Sequence, residues 1–130
     1  MLASFTAFHI YANARDSQGA KRLGWVFLTG VATGAGIWAT HFVAMLAFKT
    51  GLPTAYDPAL TLASLLIAIS VTAAGFLVAG QGKHPWLPAI GGVLIGSGIA
   101  TMHYTGMWAY LTTGTVSWDR DLVLASIALA

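Results

Sequence analysis

The sequence predicts an all-α, polytopic bundle of transmembrane helices, and three observations carry that prediction. First, 57% of the 130 residues are hydrophobic and 8% are charged, with a mean hydropathy of +0.75. A soluble domain carries roughly 25% charged residues. Second, three stretches lack any Asp, Glu, Lys or Arg: 23–48, 59–80 and 86–113. Each exceeds the roughly 20 apolar residues that cross a bilayer core as helix. Third, the chain matches itself when shifted by 62 residues, so that a two-span unit recurs.

The elements follow in order. Residues 1–14 are apolar but short, and read as a partial helix. The spans 23–48, 59–80 and 86–113 come next, and 122–130 begins a further apolar run. Both ends are expected to cut through helices, which makes the chain one domain fragment with repeat units near 22–80 and 84–130. No signal peptide is expected, because no charged region precedes the first apolar run. Arg15, Lys21 and Arg22 oppose Asp16 in one loop, and Lys83 lies beside His84 in another. Lys49 with Asp57, and Arg120 between Asp119 and Asp121, mark the opposite loops. An excess of basic residues in short loops marks the cytoplasmic side. The loops near 12–22 and 80–85 are therefore expected in the cytoplasm, with loops 49–58 and 113–121 on the outer face. Tyr56, Tyr110 and Trp118 would form the outer aromatic belt, and Trp25 and Trp86 the inner one.

Composition excludes several classes. Six Lys/Arg against four acidic residues give a net charge of +2, too little to imply nucleic acid. The absence of Cys removes disulfides, thiolate metal sites and Cys nucleophiles. No Asp or Glu lies in a span, which argues against a proton-carrying carboxylate chain. No nucleophile–base set lies there either, so the chain is not expected to be an enzyme.

The repeat concentrates the chemistry. Residues 34–48 (GAGIWATHFVAMLAF) align with 96–110 (GSGIATMHYTGMWAY), and 56–68 with 118–130. In the last pair, Asp57, Leu60, Leu62, Ala63 and Ser64 recur as Asp119, Leu122, Leu124, Ala125 and Ser126. A third Leu-Ala-Ser at Leu2–Ser4 hints at an earlier unit. Two spans per unit keep successive units in one orientation, so His41 and His103 sit at one depth. Gly30, Gly34, His41 and Met45 keep to one helix face, as do Gly92, Gly96, His103 and Met107, within about 60°. A Gly-x-x-x-Gly face lets helix backbones approach closely in a bilayer. The glycines are therefore expected to pack on a neighbouring helix, with His and Met turned into the bundle.

Imidazole with thioether suits copper, Cu(I) above all. The expected ligands are His41, Met45, His103 and Met107, with Met102 as a further candidate about 100° round its helix from His103. Bland readings stand beside this one. A Met in an apolar helix usually packs, and duplication alone preserves a structural His pair. An intramembrane His is nonetheless a functional hypothesis by default. Asp57 and Asp119 each precede a helix, where the helix dipole accounts for them. His9 and His84 read as structural or solvated, and Tyr104 and Tyr110 as aromatic packing. The rivals to copper are a bis-His haem b and a transporter or structural bundle with no metal.

Met102-His103-Tyr104-Thr105 spells MHYT. With Gly-x-Gly-Ile upstream, Gly106-Met107 downstream and the parallel Thr40-His41-Phe42-Val43-Ala44-Met45, the chain resembles the MHYT domain of bacterial integral-membrane signalling proteins. The resemblance implies a multi-span sensor with His/Met motifs near the outer face. It implies fusion to a cytoplasmic output module such as a diguanylate cyclase, phosphodiesterase, histidine kinase or transcription factor. It also implies copper-assisted sensing of oxygen, carbon monoxide or nitric oxide through His41, Met45, Met102, His103 and Met107. Membrane lipid and a homo-oligomeric partner copy complete the expected contacts. Thr40 stands where the family motif has Met, and a third motif is not among the 130 residues.

Overall fold

A computed structural model describes residues 2–48, 51, 53–82, 84–113 and 117–129, without the side chains of residues 2–4, 15 and 129. Lys49 and Lys83 and the Arg15 side chain, three of the charges used for orientation, lie outside that description. Five helices follow in order: α1 (Leu2–Asp16), α2 (Gly19–Ala47), α3 (Pro58–Ala79), α4 (Leu87–Trp108) and α5 (Arg120–Leu129). Three of them, α2, α3 and α4, are long and apolar enough to cross a membrane. At 1.5 Å per residue the 29 residues of α2 extend about 43 Å, more than the hydrocarbon core requires.

Helix starts are built by familiar chemistry. The Asp57 carboxylate accepts from the Leu60 N–H at 2.9 Å, and Pro58 opens the first turn of α3. Asp119 repeats the device at α5, accepting from the N–H groups of Asp121 (2.9 Å) and Leu122 (3.2 Å). A side-chain acceptor satisfies N–H groups that have no partner within the helix. Gly19, with φ +60°, turns the chain between α1 and α2, a left-handed conformation that side chains oppose.

The span expected to run to Thr113 ends as helix at Trp108. Two short strands, β1 (Thr54–Tyr56) and β2 (Tyr110–Thr112), pair antiparallel with Tyr56 opposite Tyr110. Beside them the Asp57 N–H donates to the Ala109 carbonyl at 2.8 Å. The apolar run therefore changes structure before its apolar character ends, because its last residues find backbone partners in the α2–α3 connection. This strap ties the two connections at one end of the bundle.

Packing runs α1–α2–α3–α4, with α3 between α2 and α4. Small residues set the spacing. A Cβ at Gly30 would lie 2.5 Å from the Ala73 Cβ, and one at Gly34 would lie 2.7 Å from the Ala68 carbonyl and the Ile69 Cα. The Thr72 hydroxyl lies 2.6 Å from the Ala68 carbonyl of its own helix and 3.0 Å from the Gly30 carbonyl across the contact. On α4 the contact glycines are Gly91, against Gly75 and Ala79, and Gly98, against Val71. Gly96 is buried. Gly92, expected on the packing face, is exposed, and a Cβ there would meet nothing within 4 Å. The reason lies in which face α3 covers. On α2 it covers Gly30 and Gly34, but on α4 it covers Gly91 and Gly98, and Gly92 lies about 100° round the helix from Gly91.

Two equivalent glycines thus make a controlled pair. Gly30→Ala is expected to destabilise the bundle by about 1–3 kcal/mol through overpacking. Gly92→Ala is expected to be neutral or to stabilise by up to about 1 kcal/mol through helix propensity. Unfolding of both variants in detergent micelles, followed by circular dichroism, checks the contrast; equal effects would contradict the packing described.

Candidate functional site

His41 on α2 and His103 on α4 meet. Their Nδ1 atoms are 3.3 Å apart, and the ring centroids lie 4.9 Å apart at 75°. The separation is that of a hydrogen bond whose donor depends on the tautomers. The second ring nitrogen of His41, Nε2, is buried and has no hydrogen-bond partner. What lets the ring enter is Gly106, one turn beyond His103: a Cβ there would lie 2.7 Å from His41 Nε2. A residue at i+3 shares the face of its helix, so Gly106 and His103 meet the same neighbour.

The pair opens onto a cavity of about 280 Å³. Its wall includes Ile37, Ile99, Met102 and Tyr104, with Ser126 from α5. Met102 is buried. Met102 lines this cavity with both histidines, whereas Met45 and Met107 are not among its lining residues. A residue four positions on lies a full turn further along its helix. Both sit nearer the strap end than the rings. The 100° offset of Met102 points it at the cavity instead.

Two nitrogens 3.3 Å apart can share one tetrahedral ion at bonds of about 2.0 Å, subtending about 110° at the metal. Among the described residues no group of three or more His, Cys, Asp or Glu exists. Any third protein donor among them would therefore be a softer or neutral one, and Met102 shares the cavity wall with both rings. Unpartnered Nε2 and an apolar wall fit a small, weakly polar ligand better than a hydrated cation.

Aromatic rings enclose the pair on both sides. Phe42 contacts His41 at 5.1 Å and Tyr56 at 5.6 Å between centroids, and Tyr56 contacts Tyr110 at 5.7 Å. Burial, and then the neighbouring Tyr110, push the Tyr56 phenol above its ordinary value, so it stays neutral within the strap. On the other side Tyr104 lies against His103 at 5.1 Å and Trp118 at 5.5 Å.

Sequence reasoning passed over the two repeated serines. Ser126 donates to the Val123 carbonyl at 2.8 Å and contacts the Tyr104 hydroxyl at 2.7 Å. Either hydroxyl can donate in that pair, since both also lie within reach of the Val123 carbonyl. In the first unit Ser64 donates to the Thr61 carbonyl at 2.7 Å and accepts from Trp38 Nε1 at 3.0 Å. Each serine ties its helix to the one before it through an aromatic side chain, although Trp38 and Tyr104 are not repeat equivalents. The recurrence of Leu-Ala-Ser was the available signal. Gly106 was legible only as a neighbour of the motif.

The family described as "MHYT: Bacterial signalling protein N terminal repeat" matches residues 34–92 and 96–130. A protein of Caulobacter vibrioides named "Uncharacterized signaling protein" is 46% identical over 96% of this chain and 16% of its own length. In Pseudomonas aeruginosa, the bifunctional diguanylate cyclase/cyclic di-GMP phosphodiesterase MucR is 41% identical over 100% of this chain and 19% of its own length. The cyclic di-GMP phosphodiesterase NbdA of that organism is 37% identical over 99% of this chain and 16% of its own length. The chain thus spans less than a fifth of the curated relatives it matches. No solved structure matches. Two repeat matches that cover most of the sequence, on helices long enough to cross a bilayer, show that the chain belongs to the MHYT family of bacterial signalling-protein N-terminal repeats.

Proposed function

We propose that this chain is a membrane-embedded sensory module whose His41–His103 pair, with Met102, holds a copper ion and reads a diatomic gas or redox state. The observation that carries the reading is the 3.3 Å approach of two imidazoles from equivalent positions of the repeat. One ion can bridge them without rearrangement of either helix, and imidazole with thioether selects copper over magnesium or calcium. The apolar cavity beside the pair has room for a diatomic ligand.

Relay follows from the packing. A change in coordination alters the spacing of α2 and α4 at the rings, and α2 is a continuous 29-residue rod that carries the shift to the opposite end. The output is a cytoplasmic signalling domain that makes or degrades cyclic di-GMP, by analogy with the named activities of the Pseudomonas relatives. The strap end is then periplasmic. On this reading the module itself is not an enzyme. A haem held by both histidines finds less support, because its axial nitrogens would lie about 4 Å apart across a macrocycle, whereas these rings touch.

Titration of the purified chain with Cu(I) against a competing chelator is expected to show one ion per chain. His41→Ala and His103→Ala should each weaken binding at least about 100-fold, beyond the usual cost of losing an outer-shell partner. No binding, or binding that survives the double variant, rejects the metal site; an intense haem absorption band would favour the rival. Met102→Leu is expected to weaken Cu(I) more than Met45→Leu or Met107→Leu, and the same competition assay ranks them. Gly106→Ala should lower affinity by about tenfold or more through steric displacement of the His41 ring, with helical content unchanged by circular dichroism.

A further inference from the structure

We infer a second binding site at the end of the bundle away from the strap, for the phosphate of an anionic glycerophospholipid. Arg22, near the start of α2, donates to the carbonyl of Gly80, the residue that ends α3. A cation at a helix C-terminus is favourable in itself, and that accounts for one of the five guanidinium N–H groups. Arg22 also lines a cavity of about 420 Å³ whose wall includes the polar Tyr11, Ser17 and Gln18 and the apolar Ala14 and Val26. The Tyr11 hydroxyl lies close to the bonded Arg22 Nη2: a Cβ at Gly80 would lie 3.2 Å from the first and 3.0 Å from the second, with the Phe76 carbonyl at 3.1 Å. Among the described residues no carboxylate lines this cavity. Asp16 is exposed beside it and is not part of the wall.

A half-buried guanidinium with no counter-charge, ringed by neutral donors, is built for an oxyanion. Phosphate takes two parallel N–H bonds from arginine. Basic pockets between membrane helices bind anionic headgroups. The height of the cavity selects the source. It lies at the α1–α2 connection and the C-terminus of α3, level with a bilayer surface, and the neighbouring Leu23 and Phe27 are more than half exposed. Those side chains offer acyl chains a lane beneath the headgroup. This site is independent of the histidine pair.

Native mass spectrometry of the 130-residue chain released from detergent micelles tests the inference. Phosphatidylglycerol is expected to be retained about tenfold more strongly than diacylglycerol, which has the same acyl chains and no phosphate, the scale of one charge-assisted hydrogen-bonded pair. Arg22→Gln should abolish the preference, Arg22→Lys should keep part of it, and Lys21→Gln should leave it intact. Tyr11→Phe keeps the ring beside Phe76 and should cost about threefold by losing one hydrogen bond; it serves should Arg22→Gln fail to fold. Equal retention of the two lipids, or a preference unchanged in Arg22→Gln or in Tyr11→Phe, overturns the site. Displacement of phosphatidylglycerol by equimolar inorganic phosphate overturns the lipid as its occupant.

Discussion

At Gly34 a methyl group would sit 2.7 Å from the backbone of α3, and at Gly91 a methyl would sit 2.6 Å from the Gly75 carbonyl. Missing side chains at such points bring α2, α3 and α4 into backbone contact. In lipid, helices gain nothing from burying leucine against leucine, so close approach supplies the association energy instead. The site depends on that spacing. Two imidazoles on helices set a side-chain diameter further apart could not exchange a hydrogen bond. Gly106 extends the same device to the site itself, leaving the space into which the His41 ring fits.

Duplication supplies a second consequence of the same economy. Both units offer a histidine at one depth and a serine that back-bonds to its own helix, and both cap the next helix with aspartate. They differ in how the serine is used. Trp38 reaches Ser64 from one turn before the first histidine, whereas Tyr104 reaches Ser126 from the position after the second. One framework therefore holds two unequal walls. The cavity lies on the tyrosine side, where Tyr104 and Ser126 line it.

The spans, the repeat and the meeting of the histidines were legible because each rests on periodicity and length, which a helix in lipid must obey. Other features depend on what lies opposite. The strap at Thr54–Tyr56 and Tyr110–Thr112 was not legible, since an apolar run ending in Tyr-Leu-Thr satisfies a helix pattern as well as a strand. Gly92 was placed on a packing face by its spacing alone. Whether a glycine face is covered depends on a partner that helix periodicity cannot name. Met102 stood only as a further candidate beside the other four because of its angle relative to His103, a criterion that assumes the cavity lies on the line between the two rings. It lies to one side, toward α5, and the offset becomes an advantage.

The strap has a mechanical consequence. β1 runs directly into the aspartate that starts α3, and β2 follows α4 after one residue, with a further bond from Asp57 to Ala109. Those two helices are thereby joined at their ends as well as along their length. α2 is held to them through the glycine contacts with α3 and meets α4 directly at few points, of which the imidazole pair is one. The most chemically responsive contact in the molecule thus links two helices that otherwise communicate chiefly through a third.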